Sequence, residues 1–131
     1  MSHLEGIALG DQDAYARSAA MACLTRLPGD ECLMVLETLL IGDQDPMIRT
    51  DAATLLPEAS GDTRSVGSIL SMSYAMEEDA GTRLSIVKAL SRVNNPRASE
   101  TLRIAATSDP DPECVASARR YIAARSASES R

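Results

Sequence analysis

The chain has no tryptophan and no phenylalanine, and its three aromatic residues are all tyrosines: Tyr15, Tyr74 and Tyr121. A core without large rings must be assembled from Ala, Leu, Ile, Val and Met, which suits thin helical layers in close contact. There is one histidine, His3, beside the N-terminus. A Ser-His or Cys-His nucleophilic pair would depend on that single residue, and a His-rich metal centre is ruled out with it. Cysteine is sparse and odd in number: Cys23, Cys32 and Cys114, with no CxxC. That pattern fits neither a disulfide framework nor a zinc site. All three fall where a small apolar residue is expected, so they read as free thiols in the core. Lys88 is the only lysine among 13 cations, against 19 acids and a net charge of -6. Phosphate binding needs clustered cations, so the balance argues against nucleic acid and against an anionic membrane surface. The seven glycines are dispersed, and none builds a phosphate-cradling loop. No apolar run approaches the roughly 18 residues of a membrane span. No basic segment followed by an apolar run opens the chain. The expectation is a soluble cytoplasmic protein with no cofactor and no bound metal.

What the chain does have is a phrase that returns four times: an acid, any residue, Asp, three residues, then Arg. It reads Asp11-Gln12-Asp13-Ala14-Tyr15-Ala16-Arg17 and Asp43-Gln44-Asp45-Pro46-Met47-Ile48-Arg49. It returns as Glu77-Glu78-Asp79-Ala80-Gly81-Thr82-Arg83, and last as Asp109-Pro110-Asp111-Pro112-Glu113-Cys114-Val115, where Val replaces Arg. The second Asp falls at positions 13, 45, 79 and 111, in steps of 32, 34 and 32 residues. A period of about 20 to 50 residues is the mark of a stacked repeat protein. Such arrays make extended surfaces rather than enclosed catalytic cavities.

Each unit reads as two helices. The second Asp is a good N-cap acceptor, and Pro46 and Pro112 suit the first helical position. First helices are expected near 13–27, 45–58, 79–93 and 111–124. Their apolar columns align as Ala20, Ala52, Ile86, Ala118; Leu24, Leu56, Leu90, Ile122; and Met21, Ala53, Val87, Arg119. Steps of three and four residues put these columns on one helical face. Turns at Pro28-Gly29-Asp30, Ser60-Gly61-Asp62 and Asn94-Asn95-Pro96 precede second helices near 31–41, 62–75 and 96–107. Their buried columns are Cys32, Val66, Ala98; Leu36, Leu70, Leu102; and Leu40, Tyr74, Ala106. Leu4, Ile7 and Ala8 read as the remnant of a preceding second helix. The fold class is therefore all-α: an α-α solenoid of three helix pairs with terminal half-repeats. A single domain is expected over 1–125, with units near 10–41, 42–75, 76–107 and 108–125. Residues 126–131, rich in Ser and charge, are expected to be a disordered tail. Val115 and Arg119 make the last helix read as a cap, as the outer member of an array requires.

With Asp-Pro-Met-Ile-Arg-Thr-Asp-Ala-Ala-Thr-Leu-Leu at residues 45–56, the chain resembles the HEAT-repeat family. The nearest flavour is the short bacterial type also seen in phycobilin-lyase-like proteins. The resemblance covers roughly residues 10–124 and speaks to fold far more than to activity. It implies a ladder of Asp and Arg between successive units, involving Asp13, Arg17, Asp45, Arg49, Asp79, Arg83 and Asp111. Arg17 should meet Asp43 or Asp45, Arg49 should meet Glu77 or Asp79, and Arg83 should meet Asp109 or Asp111. Partly exposed pairs of this kind contribute about 0.2–1 kcal/mol each, so they specify register more than stability.

The resemblance also places second helices on a concave side. The outward columns there are Met34, Ser68, Glu100; Thr38, Met72, Ile104; and Ile41, Ala75, Thr107, with a polar column of Glu37, Ser71 and Arg103 beside them. Met34, Ile41, Met72 and Ile104 should form a broken apolar strip, and flexible Met side chains suit adaptable interfaces. HEAT-like enzymes are poorly matched. Alkylpurine DNA glycosylases of this architecture use aromatics and a basic face, and di-iron hydroxylases use paired His-Glu sites. The expected role is a non-catalytic adaptor or scaffold that binds a segment of another protein along the strip. The alternative is an accessory subunit of an enzyme, such as a HEAT-type bilin lyase or a maturation factor.

Overall fold

The computed structural model describes residues 3–24, 26 and 31–129. They form eight helices: α1 (His3–Gly10), α2 (Ala14–Leu24), α3 (Glu31–Gly42), α4 (Pro46–Ala59), α5 (Thr63–Met76), α6 (Ala80–Leu90), α7 (Pro96–Ser108) and α8 (Pro112–Glu129). There is no strand among the described residues. The turn Pro28-Gly29-Asp30 lies outside them.

The starts are chemically specified. Asp13 accepts the Tyr15 N–H at 2.9 Å, Asp45 the Met47 N–H at 2.9 Å, and Asp79 the Thr82 N–H at 2.8 Å. Each therefore serves one of the orphan donors of its helix's first turn. Asp62 caps α5 through the Ser65 N–H, and Asn95 caps α7 through the N–H groups of Arg97 and Ala98. Pro46 and Pro96 stand in the first turns of α4 and α7.

Helices α2, α4, α6 and α8 pack in series as one layer, and α1, α3, α5 and α7 as a second. Successive helices in the chain also touch across the layers. The core lies between the layers, where the periodic columns meet. Ala20, Ala52, Ile86 and Ala118 are buried, as are Met21, Ala53 and Val87, and Leu24, Leu56 and Leu90. Cys32, Val66 and Ala98 face them from the second layer, with Leu36, Leu70 and Leu102. Many of these side chains are small, so the helices approach closely. At Gly67 in α5 a Cβ would lie 2.8 Å from Asn95 Oδ1, the atom that caps α7. That contact accounts for a glycine at a helix-interior position, where it costs about 1 kcal/mol relative to Ala.

Three expectations are corrected. Cys23 is exposed, not a core thiol, because the face of α2 that carries it is uncovered among the described residues. Helix α6 ends at Leu90 rather than 93, and α8 continues to Glu129 where a disordered tail from 126 was expected. One side chain connects these two changes. Arg125 on α8 donates to the carbonyls of Leu90 (3.1 Å), Ser91 (2.9 Å) and Val93 (2.8 Å), and to Ser99 Oγ (2.8 Å). A cation placed on the last carbonyls of α6 satisfies acceptors that the helix leaves open and complements its dipole. It also holds α8 in register well past residue 124.

Arg125→Ala is expected to lower unfolding free energy by about 2 kcal/mol, since it strips charged donors from several backbone acceptors. Hydrogen exchange should rise most in the last turns of α6 and α8. Protection unchanged there would contradict the assigned role.

Candidate functional site

Two regions carry the residues singled out by sequence: the loops that join one unit to the next, and the outward face of α3, α5 and α7.

In each loop the first acid of the recurring phrase bends back on its own turn. Asp11, Asp43, Glu77 and Asp109 accept the N–H two residues on, at 2.8, 2.9, 3.1 and 2.8 Å. Three of these carboxylates also take the guanidinium of the preceding unit. Arg17 bonds Asp43 through Nε and Nη2 at 3.0 and 3.2 Å, and Arg49 bonds Glu77 the same way at 2.9 and 3.0 Å. Arg83 Nε meets Asp109 at 3.1 Å. Each arginine also donates backward to a carbonyl of its own loop: Asp11, Asp43, and Glu77 with Glu78. The ladder therefore exists, but Asp13, Asp45 and Asp79 are not its acceptors. They are helix caps, and Asp111 takes no guanidinium among the described residues. Only the acid two residues before the cap has its carboxylate directed along the stack.

The pairs are also drier than the sequence suggested. The acid side chains are 7, 6 and 0% exposed. Shielded charges interact more strongly than surface pairs, and removing one partner strands the other. The earlier range of 0.2–1 kcal/mol is therefore too small for deleting either partner.

Asp109 is the most enclosed. Tyr74 Oη donates to its Oδ2 at 2.6 Å, beside Arg83 Nε. Burial alone would raise the Asp109 pKa. The hydrogen bonds from Tyr74, the Asp111 N–H and Arg83, with the charge of Arg83, outweigh it and hold the carboxyl below its ordinary value. Burial, and then the same contact, raises the Tyr74 phenol. Burial and the nearby Asp109 and Asp111 push the Cys114 thiol up to about 12. A thiol so placed stays protonated near neutral pH and is a poor nucleophile.

Between neighbouring loops lie two equivalent open clefts. One of about 230 Å³ is lined by Ile41, Asp43, Arg49, Met76 and Glu77. The other, about 270 Å³, is lined by Leu9, Asp11, Arg17, Asp43 and Gln44. Arg17 and Arg49 are committed to the ladder, so neither cleft offers an uncommitted guanidinium. Among the described residues no group of three His, Cys, Asp or Glu side chains is disposed to hold a metal.

On the second-layer face, Met34, Met72 and Ile104 are exposed at 72, 39 and 47%. Thr38, Glu100, Arg103, Ala75 and Thr107 are exposed around them, and Glu37, Ile41 and Ser68 are half-buried. Glu100 and Arg103 pair one turn apart at 3.2 Å. Ser71 departs from the expected surface column. It is buried, accepts from Thr101 Oγ1 at 2.8 Å and points at the Arg97 carbonyl. The cause is that α5 packs directly on α7 at this point. Sequence reading missed Met76, exposed at the end of α5, and Tyr15 and Met47, exposed at the first turns of α2 and α4. The signal for the last two was available: both stand two residues after a capping Asp, at equivalent phases of the repeat. Comparison with family models, curated proteins and solved structures returned no match.

Acid should weaken the fold through these carboxylates. The Asp109, Asp79 and Asp62 pKa values lie below their unfolded values. Their contribution is complete above the unfolded carboxyl pKa of about 4 and is lost as pH falls through the lower folded values. The melting temperature should be flat from pH 7 to about 5 and should drop below about pH 4. Asp109→Asn should cost about 3 kcal/mol at pH 7, by leaving Arg83 without its anion, and should flatten the acid limb. An acid limb identical to that of the parent would remove Asp109 from this account.

Proposed function

We propose that the chain is a HEAT-type adaptor, cytoplasmic and without catalysis of its own, that binds a segment of another protein along the outward face of α3, α5 and α7. One observation carries the reading. Met34, Met72 and Ile104 project from three successive helices of the same layer, and each is substantially exposed. Half-buried Ile41 and exposed Met76 extend the apolar character toward the loops. Unbranched methionine side chains re-pack readily against different apolar partners. The polar rim of Thr38, Glu37, Glu100 and Arg103 supplies hydrogen-bonding groups at the margin, as interfaces commonly do.

Two further features support binding over chemistry. Two of the nucleophilic candidates are unsuited to attack, with Cys114 held protonated and Tyr74 committed to Asp109. The ladder arginines Arg17, Arg49 and Arg83 are neutralised by carboxylates, so the ladder itself offers no row of free guanidinium groups to a polyanion.

The test is affinity capture from the native host on immobilised protein, with identification of what co-elutes. A protein retained by the parent should be lost from the double variant Met72→Asp, Ile104→Asp, whose helical melting curve stays within a few degrees of the parent. Undiminished capture of the same protein would remove the strip from the reading.

A further inference from the structure

The first layer contains three copies of one interface, and α2 carries a fourth that lacks its counterpart. In α4, α6 and α8 the face toward the preceding first-layer helix holds four equivalent positions. They are Ile48, Asp51, Ala52 and Leu55; then Thr82, Ser85, Ile86 and Ala89; then Cys114, Ser117, Ala118 and Tyr121. All twelve are buried or half-buried. The same positions in α2 are Ala16, Ala19, Ala20 and Cys23. Here Ala19 and Cys23 are exposed, Ala16 is half-buried, and Ala20 alone is enclosed. The face is smooth and apolar, with Tyr15, 77% exposed, at its edge.

The ladder has a vacancy at the same end. Asp11 makes the same turn as Asp43, Glu77 and Asp109, accepting the Asp13 N–H at 2.8 Å. Each of the other three also receives a guanidinium from the preceding unit. Among the described residues the Asp11 carboxylate receives none, Arg17 reaching only its carbonyl. Packing and charge thus specify the same missing neighbour, independently.

We propose that the α2 end of the stack is a docking surface for a helix of another protein. The occupant runs parallel to α2, carries an arginine in its first turn that reaches Asp11 side-on, and meets Ala16, Ala19 and Cys23 with small residues. Its chemistry is read from the internal interfaces, where Arg17, Arg49 and Arg83 play that part. Small hydroxyl residues accompany them there: Ser18 donates to Asp51 at 2.9 Å, and Thr50 meets Thr82 at 3.2 Å. Tyr15 gives the site an amphipathic aromatic at its rim, a residue type that often anchors interfaces. A second copy of this chain stacked head to tail fits poorly. Its α8 would bring Val115 where the arginine is required, and Arg17, Arg49 and Arg83 are already engaged.

The probe is a fluorescein-labelled peptide with the sequence of residues 43–60, which contains α4 and Arg49. It is stapled between positions 54 and 58, which are exposed in the parent. Fluorescence anisotropy against the intact protein should show saturable binding. Asp11→Asn in the protein, or Arg49→Ala in the peptide, should each weaken binding by about fivefold. The two together should weaken it little further, as expected for groups that contact each other. Ala19→Arg should abolish binding while the circular dichroism melt stays unchanged, and saturating peptide should slow alkylation of Cys23. Met72→Asp with Ile104→Asp should leave peptide binding intact, which separates this surface from the strip on the other layer. Absent binding, or binding indifferent to Asp11→Asn, overturns the proposal. A dimer of the protein alone that Ala19→Arg dissociates would also overturn it, because the occupant would then be a second copy.

Discussion

The arrangement depends on one carboxylate per unit, placed two residues ahead of the aspartate that precedes each first-layer helix. That group closes its own turn by accepting an N–H, and at Asp43, Glu77 and Asp109 it also accepts the guanidinium of the unit before. The same arginine donates back to a carbonyl of the loop it came from. Each loop is thus tied to the next through a charge-assisted pair whose donors are fixed in a planar fork. Apolar packing alone tolerates sliding of one helix along another, because small side chains present a shallow relief. A bidentate pair with one acceptable geometry removes that freedom. Burial strengthens this role, since a displaced partner would leave a shielded charge uncompensated.

Small residues and the ladder require each other. Ala20, Ala52, Ala53, Ala98, Ala105 and Ala118 let the helices approach closely, but they supply little area per residue. Specificity then has to come from polar contacts at the rims of the layers. The hydroxyl contacts from Ser18 to Asp51, between Thr50 and Thr82, and from Thr101 to Ser71 do this inside the layers. Arg125 does it at α6, and the caps do it at helix starts. Among the described residues no buried side-chain polar atom lacks a partner, the condition under which polar groups in a thin core stabilise rather than cost.

Much of this was legible in the sequence, because it rests on period and on local chemistry. The columns from Ala20 to Ala118 and from Leu36 to Leu102 could be aligned by spacing alone, and the caps by residue type. What was not legible depended on distance across the fold. Which acid of Asp43 and Asp45 bonds Arg17 is decided by loop geometry that both residues share in sequence. Ser71 occupies a surface phase of its helix, yet α5 and α7 converge enough to enclose it. Cys23 occupies a core phase, yet nothing described lies over it. Arg125 reads as part of a polar tail, because the carbonyls it serves are more than thirty residues away. The strip of Met34, Met72 and Ile104 was readable as a pattern; its exposure followed from second-layer helices that present one side to no other element.

The irregular step in the repeat ties several of these details together. Arginine and acid are separated by 26 residues in the first and third rungs and by 28 in the second. The added length falls between α4 and the body of α5: Leu56 to Val66 is a step of ten residues, where Leu24 to Cys32 and Leu90 to Ala98 are steps of eight. From Val66 onward α5 keeps the spacing of α3, so Met76 stands where α3 has Gly42 and Glu77 where the first rung has Asp43. The rung with the longer interval is the one whose acid is glutamate. Its bonds to Arg49 at 2.9 and 3.0 Å are as short as those of the Arg17 rung at 3.0 and 3.2 Å, so glutamate keeps the same two-point contact. Met76, at the end of α5, is exposed beside the cleft lined by Ile41 and Arg49. The insertion is absorbed where α4 passes to α5, and both the rung from Arg49 to Glu77 and the columns of the second layer keep their register beyond it.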